Sequence, residues 1–268
     1  MAVFKRAVLK AKSMMRRSPP ISRVEGNDYN DAPDFARAVF IGGLHRSGTT
    51  LLERMLAARY DVSVLRANVP ESEGQHMQSV YAPGAAYGGP GRFALSEKAQ
   101  EDLRALPGAE ACRAKMLADW KRFWVGTSPI LLEKSPPNLT KIWWLRQVFP
   151  GARFVIMSRD PRAVAGATHK WTHSTLAEMM AHWDAAYTRA LADFRDEDCI
   201  LVRYEDLVED PEGEIARLGA FIGAPERPAE AEVEDRHSEL RNSNAKYFEM
   251  HEGARYGAGA WDKLGYEV

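Results

Sequence analysis

A short apolar run that leads into a glycine-bearing turn constrains this chain more than any other feature. The segment Val39 to Thr50 reads VFIGGLHRSGTT, which predicts a strand, a tight turn that contains Gly48, and the start of a helix. In such a turn the backbone N–H groups and the positive end of the helix converge on one point, where an anion can bind. The pattern therefore predicts a phosphate-binding loop, to which three hydroxyls add donors: Ser47, Thr49 and Thr50.

The identity of the phosphate compound depends on which cations accompany the loop. The spacing fits the nucleoside triphosphatase pattern G-x-x-x-x-G-K-[ST], but Thr49 stands where that pattern has lysine, and Arg46 supplies a cation instead. A kinase or triphosphatase would also need an aspartate that holds magnesium, and Asp160 is the candidate. Ser158 and Arg159 separate Asp160 from the preceding apolar run, so Arg159 fits a second anion contact better. A P-loop kinase or triphosphatase remains an alternative, as does a non-catalytic nucleotide-binding module.

From Phe35 onward, short apolar runs alternate with longer segments of helical period, which is typical of parallel strands joined by crossover helices. We therefore expect an α/β fold of three layers and P-loop type, with a central parallel sheet flanked by helices. The predicted strands are 38–42, 62–65, 130–133, 153–157 and 200–203. The predicted helices are 49–59, 97–106, 109–124, 139–148, 161–171, 176–194 and 211–222. A segment rich in glycine and proline, 69–93, is predicted to be a long loop that covers the site.

Composition is consistent with one globular domain, which we place at residues 35–268, since 45% of the residues are hydrophobic and 27% are charged. Residues 1–34 are predicted to be a basic N-terminal arm and a linker. Residues 1–17 contain six basic and no acidic side chains, and their apolar residues fall at helical spacing. Contact with an anionic membrane surface is one interpretation of this arm, and a solvated tail is the other. The rest of the chain has 30 basic and 37 acidic residues, so we expect no nucleic-acid partner.

Two further features bear on the compartment. The apolar runs fall far short of the roughly 20 residues that cross a bilayer, and the N-terminus lacks the pattern of a secretory signal. We therefore expect a cytoplasmic protein, with membrane association through the arm left open. Cys112 and Cys199 are far apart in sequence and are predicted to be buried free thiols.

Four ordered segments resemble those of the sulfotransferases that use 3′-phosphoadenosine 5′-phosphosulfate, especially a bacterial branch related to tyrosylprotein and heparan sulfate sulfotransferases. They are HRSGTTL from residue 45, EKSP from residue 133, SRDPRAV from residue 158 and RYEDL from residue 203, followed by DP. The resemblance covers roughly residues 39–223. It implies in-line transfer of a sulfuryl group to an acceptor hydroxyl, with adenosine 3′,5′-bisphosphate as the product and no need for a metal. The acceptor stays open between a saccharide, a lipid, a peptide tyrosine and a small molecule.

The resemblance also implies roles in the chemistry. Arg46 and Lys134 would stabilise negative charge beside the transferred group. Glu73 would be the general base that takes the proton from the acceptor. Glu71 and His76 remain alternatives for the base.

Donor binding is implied for the loop and for two later positions. Arg159 would bind the 3′-phosphate, and Tyr204 matches a position that approaches the nucleotide. Related enzymes have a serine eight positions after the arginine, where this chain has Ala167. Thr168 could lend a hydroxyl, although one helical step turns a side chain by about 100°, and Arg162 is the other candidate. The loop residues implied in donor binding are Arg46, Ser47, Gly48, Thr49 and Thr50. Related enzymes often close this pocket with a late loop, but the resemblance assigns no contacts in 241–261.

Overall fold

Six strands form one sheet in the order β3-β2-β4-β1-β5-β6. The computed structural model of the protein describes residues 35–68, 72–227 and 242–268. The predicted arm and linker therefore lie outside the described residues, and so does Glu71, so the domain boundary stays a prediction. The strands are β1 (Arg37–Gly42), β2 (Ser63–Leu65), β3 (Trp124–Val125), β4 (Ile130–Lys134), β5 (Arg153–Ser158) and β6 (Cys199–Arg203).

The helices occur between and after the strands. They are α1 (Thr49–Arg59), α2 (Glu97–Arg104), α3 (Ala109–Trp120), α4 (Ile142–Val148), α5 (Pro161–His169), α6 (Leu176–Ala192), α7 (Tyr204–Glu209), α8 (Pro211–Ile222), α9 (Ala245–Phe248) and α10 (Ala260–Lys263). None of these described helices is long and apolar enough to cross a membrane. Cys112 and Cys199 are both buried free thiols, as predicted.

Alternation along β1 shows how the sheet separates two layers of helices. Val39 and Ile41 pack in one cluster with residues of α1 and α8. Ala38 and Phe40 point to the opposite face and pack in a second cluster with residues of α3, α4 and α6. Because successive side chains of a strand point to opposite faces, a continuously apolar strand requires cover on both sides. The predicted three-layer α/β fold is thus confirmed.

The sheet is parallel except at one edge, where the predicted extent of the helix 109–124 was wrong and a short antiparallel strand follows the helix. Helix α3 ends at Trp120 rather than at Trp124, and the chain turns through a short 3₁₀ helix into β3. Trp124 then pairs with Leu65 in antiparallel register. An aromatic residue followed by a β-branched one favours a strand over the last turn of a helix. The edge strand therefore makes the sheet mixed.

Three other elements differ from the prediction. Helix α4 begins at Ile142 because a 3₁₀ helix, Pro136–Thr140, precedes it with two prolines at its start. The predicted long loop, 69–93, contains two 3₁₀ helices, Gly74–His76 and Gly84–Tyr87, and a third begins at its last residue, Phe93. Helix α7 was not predicted, because its six residues are too short for a periodic signal.

The fold brings the ends of β1 and β4 together at one edge. Ile41 near the end of β1 is in register with Lys134 at the end of β4. From there β1 continues into α1 on one face of the sheet, whereas β4 continues into α4 on the other. A crevice at the carboxyl ends of two such strands is the usual ligand site of open α/β sheets.

Candidate active site

The predicted phosphate loop leads from β1 into α1 with a geometry that leaves the helix start available to an anion. The N-cap of α1 is Gly48, whose φ of 106° favours glycine. A Cβ at Gly48 would lie 2.8 Å from the Tyr204 ring, so a larger residue does not fit. Glycine has no side chain to cap the helix, and the first turn carries no acidic residue. The positive end of α1 is therefore suited to bind an anion.

Arg46 adopts an unusual backbone conformation within this loop. Among the described residues it is the one non-glycine residue with a positive φ, 71°. Its exposed guanidinium lies 4.9 Å from the ring centroid of Trp171. Its carbonyl accepts a hydrogen bond of 2.9 Å from the guanidinium of Arg159. Strain of this kind is found at ligand-binding positions, where surrounding contacts maintain it.

Two hydroxyls that the sequence interpretation directs at a ligand instead contact the loop's own backbone. Ser47 is fully buried, and its hydroxyl donates to the Leu44 carbonyl at 2.6 Å. The Thr168 hydroxyl donates to the His45 carbonyl at 3.3 Å. Both residues therefore stabilise the loop by donating hydrogen bonds to its carbonyl groups. The sequence shows only that hydroxyls are near the loop, not which way they point.

Glu73 and Lys134 are brought together at the end of β4. Lys134 Nζ lies 3.5 Å from Glu73 Oε1, and Gln75 Nε2 donates to Glu73 Oε2 at 2.5 Å. Glu73 is 8% exposed, and the Lys134 side chain is buried as well. A buried carboxylate that is paired with an ammonium and accepts a hydrogen bond is held in one orientation. Two of the three residues that the resemblance assigns to catalysis, Glu73 and Lys134, are thus direct neighbours.

Glu133 anchors the segment that contains Glu73. Its buried carboxylate accepts hydrogen bonds from the Gly74 N–H at 2.9 Å, from the Ser135 hydroxyl at 2.6 Å and from Asn138 Nδ2 at 2.6 Å. Burial raises the pKa of Glu133, while these hydrogen bonds oppose the rise. A Cβ at Gly74 would lie 2.6 Å from Glu133 Oε1, so the close approach requires glycine. Glu133 therefore fixes the backbone next to Glu73.

His76, the alternative base, lies beside Glu73. Its Nε2 is 3.7 Å from Glu73 Oε2, and its side chain is 44% exposed. Burial lowers the pKa of His76, although the charge of Glu73 opposes that shift. A lowered pKa favours the uncharged imidazole, which can accept a proton, so the choice between the two stays a prediction.

Arg159 follows β5 and reaches the loop from the other side. Its guanidinium donates to Asn244 Oδ1 at 2.8 Å, to the Arg46 carbonyl at 2.9 Å and to Ser243 Oγ at 3.3 Å. It also stacks 4.3 Å from the ring centroid of Tyr204. Burial lowers the pKa of Arg159, which is consistent with an enclosed position. These contacts use three of the five N–H donors of a guanidinium, so donors remain for an anion.

The positions considered for a second 3′-phosphate contact are engaged in other contacts. Ala167 is buried and packs in a small cluster with Tyr247, so the position of the family's serine is covered by α9. Arg162 pairs with Asp160 at 2.8 Å. Asp160 also caps α5 by accepting the N–H of Arg162, so its carboxylate has a structural role that disfavours the magnesium site of the kinase alternative.

The late segment supplies residues that the sequence analysis missed. Ser243 and Asn244 both contact Arg159, and Asn244 Nδ2 also donates to Glu205 Oε1 at 2.6 Å. Glu205 further accepts a hydrogen bond of 3.0 Å from the Tyr266 hydroxyl. No local pattern links these residues, because 39 to 85 positions separate the partners.

A comparison with known proteins identifies the family. The model of the Sulfotransferase family matches residues 38–228, which include the loop, Glu73, Lys134 and Arg159. The chain belongs to this sulfotransferase family. The resemblance of the four sequence segments is thereby confirmed. Ser243 and Asn244 lie beyond the residues that the family model matches.

Two animal proteins are among the relatives of this sulfotransferase. Protein-tyrosine sulfotransferase A of Caenorhabditis elegans is 26% identical over 220 residues, 76% of this chain and 54% of that protein. Protein-tyrosine sulfotransferase 1 of Danio rerio is 28% identical over 200 residues, 70% of this chain and 53% of that protein. The chain thus spans about half the length of these curated relatives.

Solved structures agree with the fold. The sulfotransferase domain from the curacin biosynthetic pathway matches with a TM-score of 0.56 and 16% identity, over 92% of this chain and 100% of that domain. The sulfotransferase domain of the Synechococcus PCC 7002 olefin synthase matches with a TM-score of 0.54 and 19% identity, over 91% of this chain and 100% of that domain. At these identities the likeness supports the α/β fold alone.

Proposed function

We propose that this protein transfers a sulfuryl group from 3′-phosphoadenosine 5′-phosphosulfate to an acceptor hydroxyl. The contact between Arg159 and the Arg46 carbonyl, 2.9 Å, carries the proposal. It joins two anion-binding points, the start of α1 and the Arg159 guanidinium, at a fixed separation. A donor with phosphate groups at both the 5′ and the 3′ positions requires such a pair. Membership of the sulfotransferase family supports the same donor.

Donor binding divides between these two points. The backbone from Ser47 to Thr50 would hold the 5′-phosphosulfate at the start of α1. Arg159 would hold the 3′-phosphate, for which a planar guanidinium with two N–H groups is well shaped. The Tyr204 ring packs close to Gly48 and stacks with Arg159, so it contacts both points. Thr168 supports the loop by donating a hydrogen bond to the His45 carbonyl.

The chemistry would take place between the loop and the end of β4. One S–O bond to the donor phosphate breaks, and a new S–O bond to the acceptor oxygen forms. Arg46 and Lys134 would offset the negative charge that develops on the leaving phosphate. Glu73 would take the proton of the acceptor hydroxyl, and its 3.5 Å contact with Lys134 keeps it beside the reacting atoms. This chemistry needs no metal.

The relatives are named protein-tyrosine sulfotransferases, which makes a tyrosine hydroxyl one acceptor to test. A saccharide, a lipid headgroup and a small molecule offer the same reacting group. Membrane contact through residues 1–17 would bring the site to a lipid acceptor, and it stays a prediction from the sequence. A nucleic-acid partner is not expected, since the chain after residue 17 has more acidic than basic residues.

The direct test is a transfer assay with an acceptor panel. Purified protein is incubated with the donor and with a phenol, a saccharide, a lipid or a tyrosine peptide, and release of adenosine 3′,5′-bisphosphate is measured by chromatography. We expect release that depends on an acceptor and that Glu73→Gln suppresses. Magnesium-dependent loss of ATP without any release of bisphosphate would contradict the proposal.

A further inference from the structure

Three side chains outside the proposed donor contacts hold Arg159 in place. Arg159 Nε donates to Asn244 Oδ1 at 2.8 Å, and Asn244 Nδ2 donates to Glu205 Oε1 at 2.6 Å. The other carboxylate oxygen of Glu205 accepts a hydrogen bond of 3.0 Å from the Tyr266 hydroxyl. We call these three residues, Asn244, Glu205 and Tyr266, the Arg159 support.

The side-chain amide of Asn244 can take one orientation only. Its Oδ1 faces Arg159 Nε, which is a donor, and its Nδ2 faces a carboxylate oxygen of Glu205, which is an acceptor. Rotation of the amide by 180° would set donor against donor and acceptor against acceptor. Asn244 is 5% exposed and Arg159 is 7% exposed, so a lost partner would leave a buried polar group unsatisfied. The Glu205 carboxylate therefore determines which group Asn244 presents to Arg159.

Glu205 is itself fixed by groups at the end of β5. Its Oε1 also accepts the Asp160 N–H at 3.0 Å. The buried Tyr266 hydroxyl, which contacts the other oxygen, lies 2.9 Å from the hydroxyl of Ser158, the last residue of β5. A carboxylate that accepts three hydrogen bonds is held in one orientation. Glu205 therefore holds Asn244 at a fixed position relative to the end of this strand.

The contact at Nε decides which N–H groups of Arg159 remain for a ligand. One N–H of Nη1 donates to the Arg46 carbonyl, and one N–H of Nη2 donates to Ser243 Oγ. Because each of these nitrogens carries two hydrogens, one N–H on each is left over from the described contacts. Two N–H groups of one planar guanidinium match two oxygens of a phosphate. Since Asn244 occupies Nε, a phosphate would be bound through the two Nη nitrogens.

We propose that Asn244 and Glu205 are positioning residues that make the donor site selective for a nucleotide with a 3′-phosphate. The inference rests on the proposed function and concerns how its donor is selected. Glu205 orients the amide of Asn244, and Asn244 holds Arg159 so that its Nη nitrogens face the phosphate. Asn244 and Tyr266 lie beyond the residues that the family model matches, so membership of the family does not imply this role.

Calorimetric titration with two nucleotides tests the role of Asn244. One is adenosine 3′,5′-bisphosphate, the other is adenosine 5′-phosphate, and the ratio of their dissociation constants measures the selectivity for a 3′-phosphate. Asn244→Leu keeps the size of the side chain but removes both hydrogen bonds. We expect it to lower the selectivity by about tenfold or more, as for the loss of a hydrogen bond to a charged group. Affinity for adenosine 5′-phosphate should not change.

Asn68→Leu is the matched control, because Asn68 is exposed after β2 and does not belong to the Arg159 support. It should leave both affinities at their wild-type values. Differential scanning fluorimetry shows that each variant is folded. Wild-type selectivity in Asn244→Leu would overturn the proposal. An equal loss of affinity for both nucleotides would also overturn it, because a general structural role does not distinguish them.

Glu205 is tested by two substitutions that differ in one property. Glu205→Gln keeps an oxygen that can accept the hydrogen bond from Asn244 Nδ2, and its amide can donate to the Tyr266 hydroxyl, so it should retain the selectivity. Glu205→Met removes the acceptor and frees the Asn244 amide to turn, so it should lower the selectivity by about tenfold. Wild-type selectivity in Glu205→Met, or an equal loss in both variants, would overturn the role of Glu205.

The outcomes also separate this inference from the proposed function. Selective binding of the bisphosphate by the wild-type protein that survives Asn244→Leu would overturn the positioning role and leave the proposed donor intact. Equal affinity of the wild-type protein for the two nucleotides would contradict the proposed donor itself.

Discussion

Glu73 bears most of the proposed chemistry at the scale of single residues. One carboxylate oxygen faces Lys134 at 3.5 Å, and the other accepts a hydrogen bond of 2.5 Å from Gln75. Glu133 fixes the backbone of the same segment through the Gly74 N–H. A base that is already held in place needs little reorganisation when the acceptor arrives. The position of Glu73 is therefore consistent with proton transfer in the reaction.

We predict that Glu73→Gln lowers turnover by about 10²- to 10⁴-fold, because glutamine keeps the shape but cannot take the proton. Affinity for adenosine 3′,5′-bisphosphate, measured by calorimetry, should change little, since Glu73 does not belong to the donor site. Glu71→Gln and His76→Gln are assayed in parallel. Full activity in Glu73→Gln together with a large loss in one of the other two would move the base to that residue.

Arg159 gives the matching prediction for donor binding. Arg159→Ala should weaken adenosine 3′,5′-bisphosphate by about 10²-fold, the usual cost of losing a charged hydrogen-bonded pair. Binding of adenosine 5′-phosphate, which lacks the 3′-phosphate, should fall much less. Arg153→Ala, at the opposite end of β5, is the control and should affect neither ligand. Equal losses for both nucleotides would contradict the assigned 3′-phosphate site.

At the scale of secondary-structure elements, the start of α1 is the decisive feature. Its N-cap has a φ of 106°, and a side chain there would meet the ring of Tyr204. The strand before it ends in a buried turn that Ser47 closes. The anion site thus depends on one glycine that permits the turn.

We predict that Gly48→Ala reduces both thermal stability and bisphosphate affinity, because alanine at this φ costs about 1–3 kcal/mol and its Cβ would lie 2.8 Å from Tyr204. Gly108→Ala is a suitable control, since Gly108 has a negative φ and a Cβ there would meet nothing within 4 Å. Differential scanning fluorimetry and calorimetry provide the two measurements. A Gly48→Ala protein with wild-type stability and affinity would rule out the proposed close packing.

How far the sequence predicts these elements depends on local signals. The bounds of α1 and α8 were predicted correctly, because Gly48 marks one start and Pro211 the other. Strand β3 and the start of α4 were not predicted correctly, although the sequence has helical periodicity at both places. Pairing with β2 determines β3, and the two prolines after Ser135 delay the start of α4. Where tertiary contacts determine an element, periodicity alone does not show it.

The candidate site was predictable to a similar extent. Arg46 lies four residues after β1, Lys134 ends β4 and Arg159 directly follows β5. Their place at one edge therefore followed from the alternation of strands and helices. The direction of the Thr168 hydroxyl and the contact of Asn244 with Arg159 did not follow. The direction of the Thr168 hydroxyl depends on its rotation about the helix axis. The contact of Asn244 depends on a segment that lies 85 positions after Arg159 in the sequence.

At the scale of the whole molecule, burial of Lys141 makes the stability of the protein depend on pH. Its pKa is about 7 in the folded protein, whereas an unfolded lysine has its ordinary value of 10.5. Between these values the unfolded chain binds a proton that the folded protein does not, so stability contributed by this group rises with pH, by at most about 1.4 kcal/mol per pH unit. Below about pH 7 the folded protein carries a buried ammonium that lowers its stability.

We therefore predict that Lys141→Met is more stable than the wild-type protein at about pH 6 and that this advantage shrinks toward about pH 9. Urea unfolding at both pH values measures it, and other titrating groups cancel in the comparison. Lys115→Met, which removes an exposed lysine of α3, should show no such pH dependence. An advantage that grows with pH would contradict the sign of the Lys141 shift.

The central claim about the whole molecule is that its two anion-binding points hold a donor with two phosphate positions. Isothermal titration with adenosine 3′,5′-bisphosphate, compared with ATP plus magnesium, tests this claim most directly. The account predicts micromolar or tighter binding of the bisphosphate, which corresponds to about 8 kcal/mol or more, and much weaker binding of ATP. Preference for ATP with magnesium would contradict the account and favour a P-loop kinase.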